Sequence, residues 1–202
     1  MFIELTEILR CPRDHAESYL VASPMVMDGR RIVRGAVGCP ACRAEFPIVE
    51  GVAYFGPAGA AAGGEEAAAP PDYDAAALAA FLNLSGPGGY VVLVGAAARA
   101  GPALVEAVPG VHVVAVNPPP GVRPGPMLSL LVSPRALPVR TASVRGVALG
   151  AGHARGGWPA EGARVLLPGL RLVIEGEAAG PLPAGVAELA RGAGLRVGQR
   201  ER

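Results

Sequence analysis

The chain has 202 residues and a formal net charge of +1, and its 18 basic residues are all arginine. A chain this close to neutrality offers little electrostatic attraction to nucleic acid or to an anionic membrane, so we expect neither as a direct partner. No run of about 18 apolar residues occurs, and the first seven residues carry acids where a signal peptide needs bases. We therefore expect a cytoplasmic protein.

The first third of the chain predicts a short helix followed by a β-hairpin. Residues 2–9 place four apolar side chains on one helical face, and this segment stops at Cys11-Pro12. Two strand-like runs follow, over residues 18–26 and 31–37, and the turn Asp28-Gly29 joins them. The four apolar residues are Phe2, Leu5, Ile8 and Leu9.

The cysteines flank this hairpin in a pattern typical of a metal site. Cys11 precedes it, and Cys39 and Cys42 follow it as Cys-Pro-Ala-Cys. In a reducing compartment this spacing favours two zinc knuckles over a disulfide. For the fourth ligand we favour His15, the better zinc ligand by chemistry, and keep Asp14 as the alternative because it stands where a Cys-x-x-Cys knuckle would place its second cysteine.

A simpler alternative is that the metal has been lost and the cysteines are small buried apolar residues. The surrounding motifs bear on this choice. They are Leu9-Arg-Cys-Pro12, Cys39-Pro-Ala-Cys42 and Phe46-Pro-Ile-Val-Glu-Gly51-Val. In this order they resemble the small zinc-ribbon partner protein that activates tRNA, rRNA and release-factor methyltransferases. The resemblance covers residues 2–55 and implies a zinc-ribbon-like domain over residues 1–55.

Residues 56–72 are rich in Ala, Gly and Pro, which predicts a flexible linker between two domains. A helix is expected over residues 74–84, with Asp72 or Asp74 near its N-cap. Two continuous apolar runs, residues 90–94 and 111–116, then flank a helix-compatible stretch over residues 100–108. This is a βαβ unit, so we predict an α/β domain with a parallel sheet covered on both faces.

The remaining elements continue the alternation. Further strands are predicted at residues 127–132, at the end of residues 133–149, and at residues 171–175 and 195–200. A shortened or missing helix is expected before residue 163, a turn at Leu167-Pro-Gly-Leu170, and a helix over residues 183–191.

Two segments in this half, residues 136–147 and 163–173, resemble the "ALPFPDGSFDVV" and "ARVLKPGGRLV" segments of class I S-adenosylmethionine-dependent methyltransferases. The resemblance implies a Rossmann-like methyltransferase domain over residues 73–202. Working members end their first strand in an acid and a Gly-x-Gly-x-Gly loop, whose missing side chains let the backbone approach the cofactor.

This loop has lost much of the family pattern. Gly95 keeps the first glycine, whereas Ala97 and Arg99 occupy the other two positions. Asn117 replaces the carboxylate that would accept the ribose hydroxyls. Three further family acids are replaced, by Leu93, Ser133 and Arg145. We therefore expect S-adenosylmethionine not to bind in the usual way; if it binds, Gly95, Ala97 and Asn117 would line its site.

Our leading hypothesis is a zinc-binding, non-catalytic scaffold or accessory protein that carries a degenerate methyltransferase-like domain and binds a protein partner or a second copy of itself. No catalytic residue is assigned. One alternative is an active methyltransferase with a fused zinc-ribbon activator. Another is an RNA-modification accessory factor, against which the neutral charge and the 4% aromatic content count.

Overall fold

The computed structural model describes residues 1–56, 73–176 and 181–202, and the predicted linker lies almost wholly outside them. These residues form three α-helices and eleven strands. The helices are α1 (Ala75–Phe81), α2 (Gly101–Ala107) and α3 (Trp158–Val165). The strands are β1 (Val21–Asp28), β2 (Arg31–Gly38), β3 (Glu45–Val49), β4 (Val52–Tyr54), β5 (Tyr90–Val94), β6 (His112–Val116), β7 (Leu128–Val132), β8 (Val144–Leu149), β9 (Leu166–Glu175), β10 (Val186–Gly192) and β11 (Leu195–Arg200).

All eleven strands join one sheet, in the order β1-β2-β3-β4-β7-β6-β5-β8-β9-β11-β10. The five strands from β7 to β9 are parallel, and β5 lies in the middle with β6 and β8 on either side. The last two strands form a hairpin whose second strand runs antiparallel to β9. This is a doubly wound α/β order with an antiparallel hairpin at one end, and it confirms the predicted α/β domain with a parallel sheet.

The N-terminal strands extend this sheet. β1 to β4 are joined by antiparallel pairs, and β4 then pairs in parallel with β7. Ala53 lies opposite Leu131, and the Phe55 amide donates to the Val132 carbonyl at 2.7 Å. The main chain therefore links the cysteine-bearing hairpin directly to the α/β part.

Each sheet face has its own apolar core. One core packs the N-terminal residues Met1, Leu5 and Leu9 against side chains of the parallel strands. The other packs Leu78 of α1 and Leu104 of α2 against the opposite face. The parallel strands are continuous apolar runs because both faces of the sheet are covered there. Among the described residues, no helix has the length and apolar content to cross a membrane.

Three local predictions need correction. A short helix was predicted over residues 2–9, but only residues Ile3–Glu7 are helical and they form a 3-10 helix. Three side chains of the predicted apolar face, Leu5, Ile8 and Leu9, are nevertheless buried. The turn predicted at residues 167–170 lies inside β9. The helix predicted over residues 183–191 is wrong, because most of this segment is strand β10.

The reason for this last error is a hairpin turn. Ala193 and Gly194 both have positive φ, at 48° and 69°, between the paired residues Gly192 and Leu195. Two residues of this conformation form the turn that antiparallel hairpins favour. Pairing with β11 therefore overrides the helical propensity of the Ala, Glu and Leu residues in this segment.

Candidate metal centre and the loop after β5

Two tight turns position the candidate metal ligands. In the second turn, the Cys39 amide donates to the Ala44 carbonyl at 2.8 Å and the Arg43 amide donates to the Cys39 carbonyl at 2.9 Å. Arg43 takes a left-handed φ of 57°, which folds the chain back so that Cys39 and Cys42 face the same point. In the first turn, the Cys11 amide donates to the Ser18 carbonyl at 3.0 Å, which closes the loop carrying His15.

These turns bring Cys11, His15, Cys39 and Cys42 together, with all four ligand atoms within 4.8 Å of one another. Cys11 Sγ lies 3.7 Å from Cys42 Sγ, and Cys39 Sγ lies 3.6 Å from His15 Nε2. A tetrahedral zinc ion with ordinary bond lengths implies sulfur–sulfur and sulfur–nitrogen edges of about 3.8 and about 3.6 Å. The four residues thus form a group with the donors and spacing to hold such an ion. Asp14 is not part of this group.

The orientation of His15 suits a ligand. Its Nδ1 lies 2.7 Å from the Ala16 carbonyl oxygen. Because a carbonyl only accepts, Nδ1 carries a proton and donates, so in the neutral imidazole Nε2, which faces Cys39, is the nitrogen free to bind a metal. A backbone acceptor on the far nitrogen is the usual way in which a protein fixes a metal-binding imidazole.

The cysteines differ in their electrostatic surroundings. Burial opposes ionisation of Cys39, but the hydrogen bonds from the backbone amides of Cys42 and Ala41, together with those from the Cys42 and Ser18 side chains, outweigh it and lower the pKa of this thiol. Burial raises the pKa of Cys11. Thiolates are the metal-binding form, so the backbone of the second turn already favours one of them.

The first turn is attached to the α/β part by main-chain and ionic contacts. Leu9 and Val139 form an antiparallel bridge, in which the Arg10 amide donates to the Pro138 carbonyl and the Arg140 amide donates to the Ile8 carbonyl. Beyond Cys11, the Glu17 carboxylate accepts from the Thr141 amide and hydroxyl at 3.1 and 2.9 Å.

Glu161 and Arg164 of α3 complete this attachment. The Glu161 carboxylate accepts from the Leu137 amide at 2.8 Å and pairs with Arg164 at 2.8 Å. Although burial acts against it, the Arg164 contacts lower the pKa of Glu161. Arg10 approaches the same carboxylate at 3.8 Å. Sequence reasoning missed these residues, because only the three-residue spacing of Glu161 and Arg164 on one helix hinted at a pair.

The loop after β5, where Rossmann-like folds hold a ligand, is filled by the chain itself. Gly95 has φ of 61° and is buried, and a Cβ placed on it would lie 2.7 Å from His153 Cε1. His153 in turn packs edge-on against Trp158, with ring centroids 4.6 Å apart. The neighbouring Gly150 packs so tightly that a Cβ there would lie 3.0 Å from the Ala96 Cβ. Ala97 is fully buried in the core below this loop.

Asn117 lies at the carboxyl end of β6, as the resemblance implies, but its amide group is engaged elsewhere. Its Nδ2 donates to the Ser133 carbonyl at 2.7 Å, and its Oδ1 accepts from the Ser133 amide at 2.8 Å. This two-bond pair ties the ends of β6 and β7 together. The three candidate cofactor residues therefore lie near the carboxyl ends of β5 and β6. However, Gly95 faces His153, Ala97 is buried, and the Asn117 side chain binds the Ser133 backbone.

Arg145, which replaces one of the family acids, lies at the other end of β5 from this loop. Its guanidinium donates to the carbonyls of Ser85, Gly86, Pro87 and Gly88, the segment that leads into β5. It thus stabilises the turn at the opposite end of the strand. A cavity of about 610 Å³ also lies at this end, lined by Ala79, Leu84, Pro87 and Val108 among others.

A partly buried polar pair at the carboxyl end of β9 was also missed. The Tyr73 hydroxyl donates to the Glu175 carboxylate, and burial raises the pKa of both side chains. Nothing in the sequence links these two residues, which are 102 positions apart.

No family model matches the sequence, and no curated protein matches it. Among solved structures, a Haloferax volcanii complex containing the Trm112 methyltransferase activator is similar at 23% identity and a TM-score of 0.41. The match covers 50% of this chain and 50% of that chain, so this chain spans about half the length of that one.

Two further similar structures are methyltransferases. The antibiotic-resistance methyltransferase Kmr has 14% identity and a TM-score of 0.44, with 64% of this chain and 94% of that chain covered. A SAM-dependent methyltransferase from Aquifex aeolicus has 17% identity and a TM-score of 0.42, with 60% and 85% covered. Likenesses this distant carry no functional information. The similarity is one of fold alone, and the doubly wound α/β fold itself follows from the strand order.

Proposed function

We propose that this protein is a zinc-binding, non-catalytic scaffold or accessory subunit, in which a zinc ribbon over residues 1–55 is joined to a degenerate methyltransferase-like domain over residues 73–202. The observation that carries this proposal is the packing of His153 onto Gly95. In a working enzyme the methionine part of the cofactor approaches the backbone at this glycine. Here an imidazole ring occupies the approach.

The state of the other candidate contacts supports the same conclusion. An amide at residue 117 that already pairs with the Ser133 backbone has little left to offer two ribose hydroxyls. Restoring a ribose contact would break two buried hydrogen bonds, at a cost of about 1 kcal/mol or more each. The missing carboxylate at residue 117 and the imidazole over Gly95 thus both oppose binding of the cofactor.

Zinc is supported by the donor set and its spacing. Three thiols and one imidazole, with edges of 3.7 and 3.6 Å, match a closed structural site. Such sites have no open position for substrate, so the ion would stabilise the fold and would not take part in a reaction. This structural role agrees with the hairpin, whose first strand β1 is exposed over most of its length.

The proposal that this protein binds a partner rests on how its N-terminal strands join the α/β sheet. The N-terminal motifs resemble an activator that pairs with a separate methyltransferase. In this chain β4 adds to β7 within the same molecule, so that edge of the α/β sheet is already used. A partner would therefore bind at another surface. We expect this partner to be a protein, because the charge pattern offers no basic footprint for nucleic acid.

The test is calorimetric titration of metal-analysed protein with S-adenosylmethionine and S-adenosylhomocysteine, each up to millimolar concentration, together with a thermal shift in the same ligands. We expect no saturable heat and no stabilisation. A dissociation constant below about 100 μM would overturn the proposal and favour the active methyltransferase. A His153→Ala variant is the matched comparison, because weak binding that appears only in this variant would identify His153 as the group that blocks the site.

A further inference from the structure

Two strands, β1 and β10, form the free edges of the sheet among the described residues. An unpaired edge offers its backbone N–H and C=O groups to another strand, and proteins commonly protect it with proline or irregular pairing. β1 has both devices, since Pro24 lies in the strand and its register shifts twice near Val26. β10 contains no proline, and residues 187–192 are all exposed.

The one irregularity of β10 has a specific effect on its side chains. Glu188 lies opposite Gly198 and Ala190 lies opposite Val197, so Leu189 is an extra residue in this strand. Residues three apart normally lie on opposite sheet faces, but the bulge brings Glu188 and Arg191 to the same face. Their ion pair of 3.3 Å confirms this, as does the 3.3 Å contact between Glu188 and Arg196 of the neighbouring strand.

This arrangement makes the edge complementary to itself. In an antiparallel pair related by a two-fold axis at residues 189 and 190, residue 188 of one strand lies opposite residue 191 of the other. Glu188 would then face Arg191 of a second copy, and Arg191 would face its Glu188. Leu189, which is 47% exposed, would meet the apolar Ala190. Opposite charges directly across a strand pair stabilise it, and like charges destabilise it.

We propose that β10 is a dimerisation edge, at which two copies of this chain pair antiparallel through residues 187–192 and join their sheets. A second copy is the occupant that the edge fits best, because one pattern satisfies both sides of an isologous contact. Backbone hydrogen bonds supply most of the affinity, and the two Glu188–Arg191 pairs fix the register. The inference is independent of the proposed scaffold function, since it involves neither the metal group nor the loop after β5.

The experiment measures the mass of the full chain by light scattering and sedimentation between about 5 and 500 μM. We expect the wild type to shift with concentration towards twice its monomer mass of 20.3 kDa. Glu188→Arg and Arg191→Glu should each weaken dimerisation at least tenfold, because each places like charges opposite each other. An equimolar mixture of the two variants should form a heterodimer, since both cross-strand pairs are then of opposite charge. Arg191→Glu keeps the Arg196 contact, so it tests the idea even if Glu188→Arg folds poorly.

Met25→Arg on β1 is the matched control at the other free edge, where the side chain is 76% exposed. It should leave the dimer unchanged. A monomer at every concentration would overturn the proposal. So would a dimer that resists both charge reversals, or one that Met25→Arg abolishes.

Discussion

His153 lies directly over Gly95, and its imidazole takes the space that any side chain at residue 95 would need. The two residues come from the loops that follow β8 and β5, so their contact locks together the two loops between which a cofactor would sit. In a protein that bound S-adenosylmethionine here, this space would have to be open.

The first prediction concerns this contact. Gly95→Ala should lower the free energy of unfolding by about 3 kcal/mol, because it adds a clash to the cost of a left-handed φ. In a His153→Ala background the same change should cost only about 1 kcal/mol, since the strained φ remains and the clash is gone. Denaturant unfolding of the four proteins in this cycle measures the difference. An equal cost in both backgrounds would show that the imidazole does not fill the space.

The second prediction concerns the metal. We expect the purified protein to contain about one equivalent of zinc, and Cys39→Ser and His15→Ala to lose most of it, because each removes one of four ligands. Asp14→Ala is the matched control and should retain the metal. Elemental analysis after gel filtration is the measurement. Retention in His15→Ala combined with loss in Asp14→Ala would reassign the fourth ligand, and absence of zinc from the wild type would refute the zinc site.

The third prediction links the metal group to the α/β part. The loop that carries Cys11 and His15 also carries Glu17, which accepts from the Thr141 amide. Removing the metal should loosen this loop, and hydrogen exchange should then accelerate at the amides of Arg140 and Thr141, which bond to the N-terminal segment.

Two controls accompany this measurement. Amides of β5 should exchange at the same rate with and without metal, because their partners lie in the parallel sheet. Glu17→Gln, which changes no ligand, should accelerate exchange at Thr141 while zinc is retained. If chelation changes exchange only in the turns themselves, the metal group and the segment around Val139 are not coupled.

The fourth prediction concerns His112, which is buried between the rings of Phe2 and Tyr90. Burial, with a smaller contribution from the amino terminus, lowers its pKa from 6.5 to about 4. The unfolded chain therefore binds a proton at a higher pH than the folded protein does. The free energy of unfolding should fall as the pH drops from 6.5 towards 4, by about 2 to 3 kcal/mol from this residue.

Comparison of variants isolates the contribution of His112 to the pH dependence of the free energy of unfolding. His112→Phe should reduce the dependence on pH across this window. Ser129→Ala, which removes the 2.9 Å hydrogen bond to His112 but leaves the imidazole, should lower stability at every pH and keep the slope. The measurement is denaturant unfolding at pH 4.5, 5.5 and 6.5. A wild-type slope that His112→Phe does not change would contradict the prediction.

Local patterns in the sequence were sufficient for several features. The apolar runs at residues 90–94 and 111–116 predicted β5 and β6 because a buried parallel strand needs apolar side chains on both faces. The spacing of Cys11, Cys39 and Cys42 predicted that they would meet, since knuckle geometry is set by a few neighbouring residues. The choice of His15 over Asp14 as their neighbour came from ligand chemistry, and the structure brings His15 into the group.

Other features depended on contacts between distant residues, which no local pattern encodes. Residues 186–192 have helix-forming side chains, yet they form a strand because β11 offers a pairing partner and the turn at residues 193 and 194 reverses the chain. Asn117 and Arg145 were identified as departures from a family pattern, but only the fold shows that one binds the Ser133 backbone and the other stabilises the segment before β5. The sequence by itself determined the central parallel strands and the meeting of the three cysteines, because both follow from local patterns. The tertiary structure decided that β4 joins β7 and that His153 fills the loop, because both depend on side chains and strands brought together by the packed core.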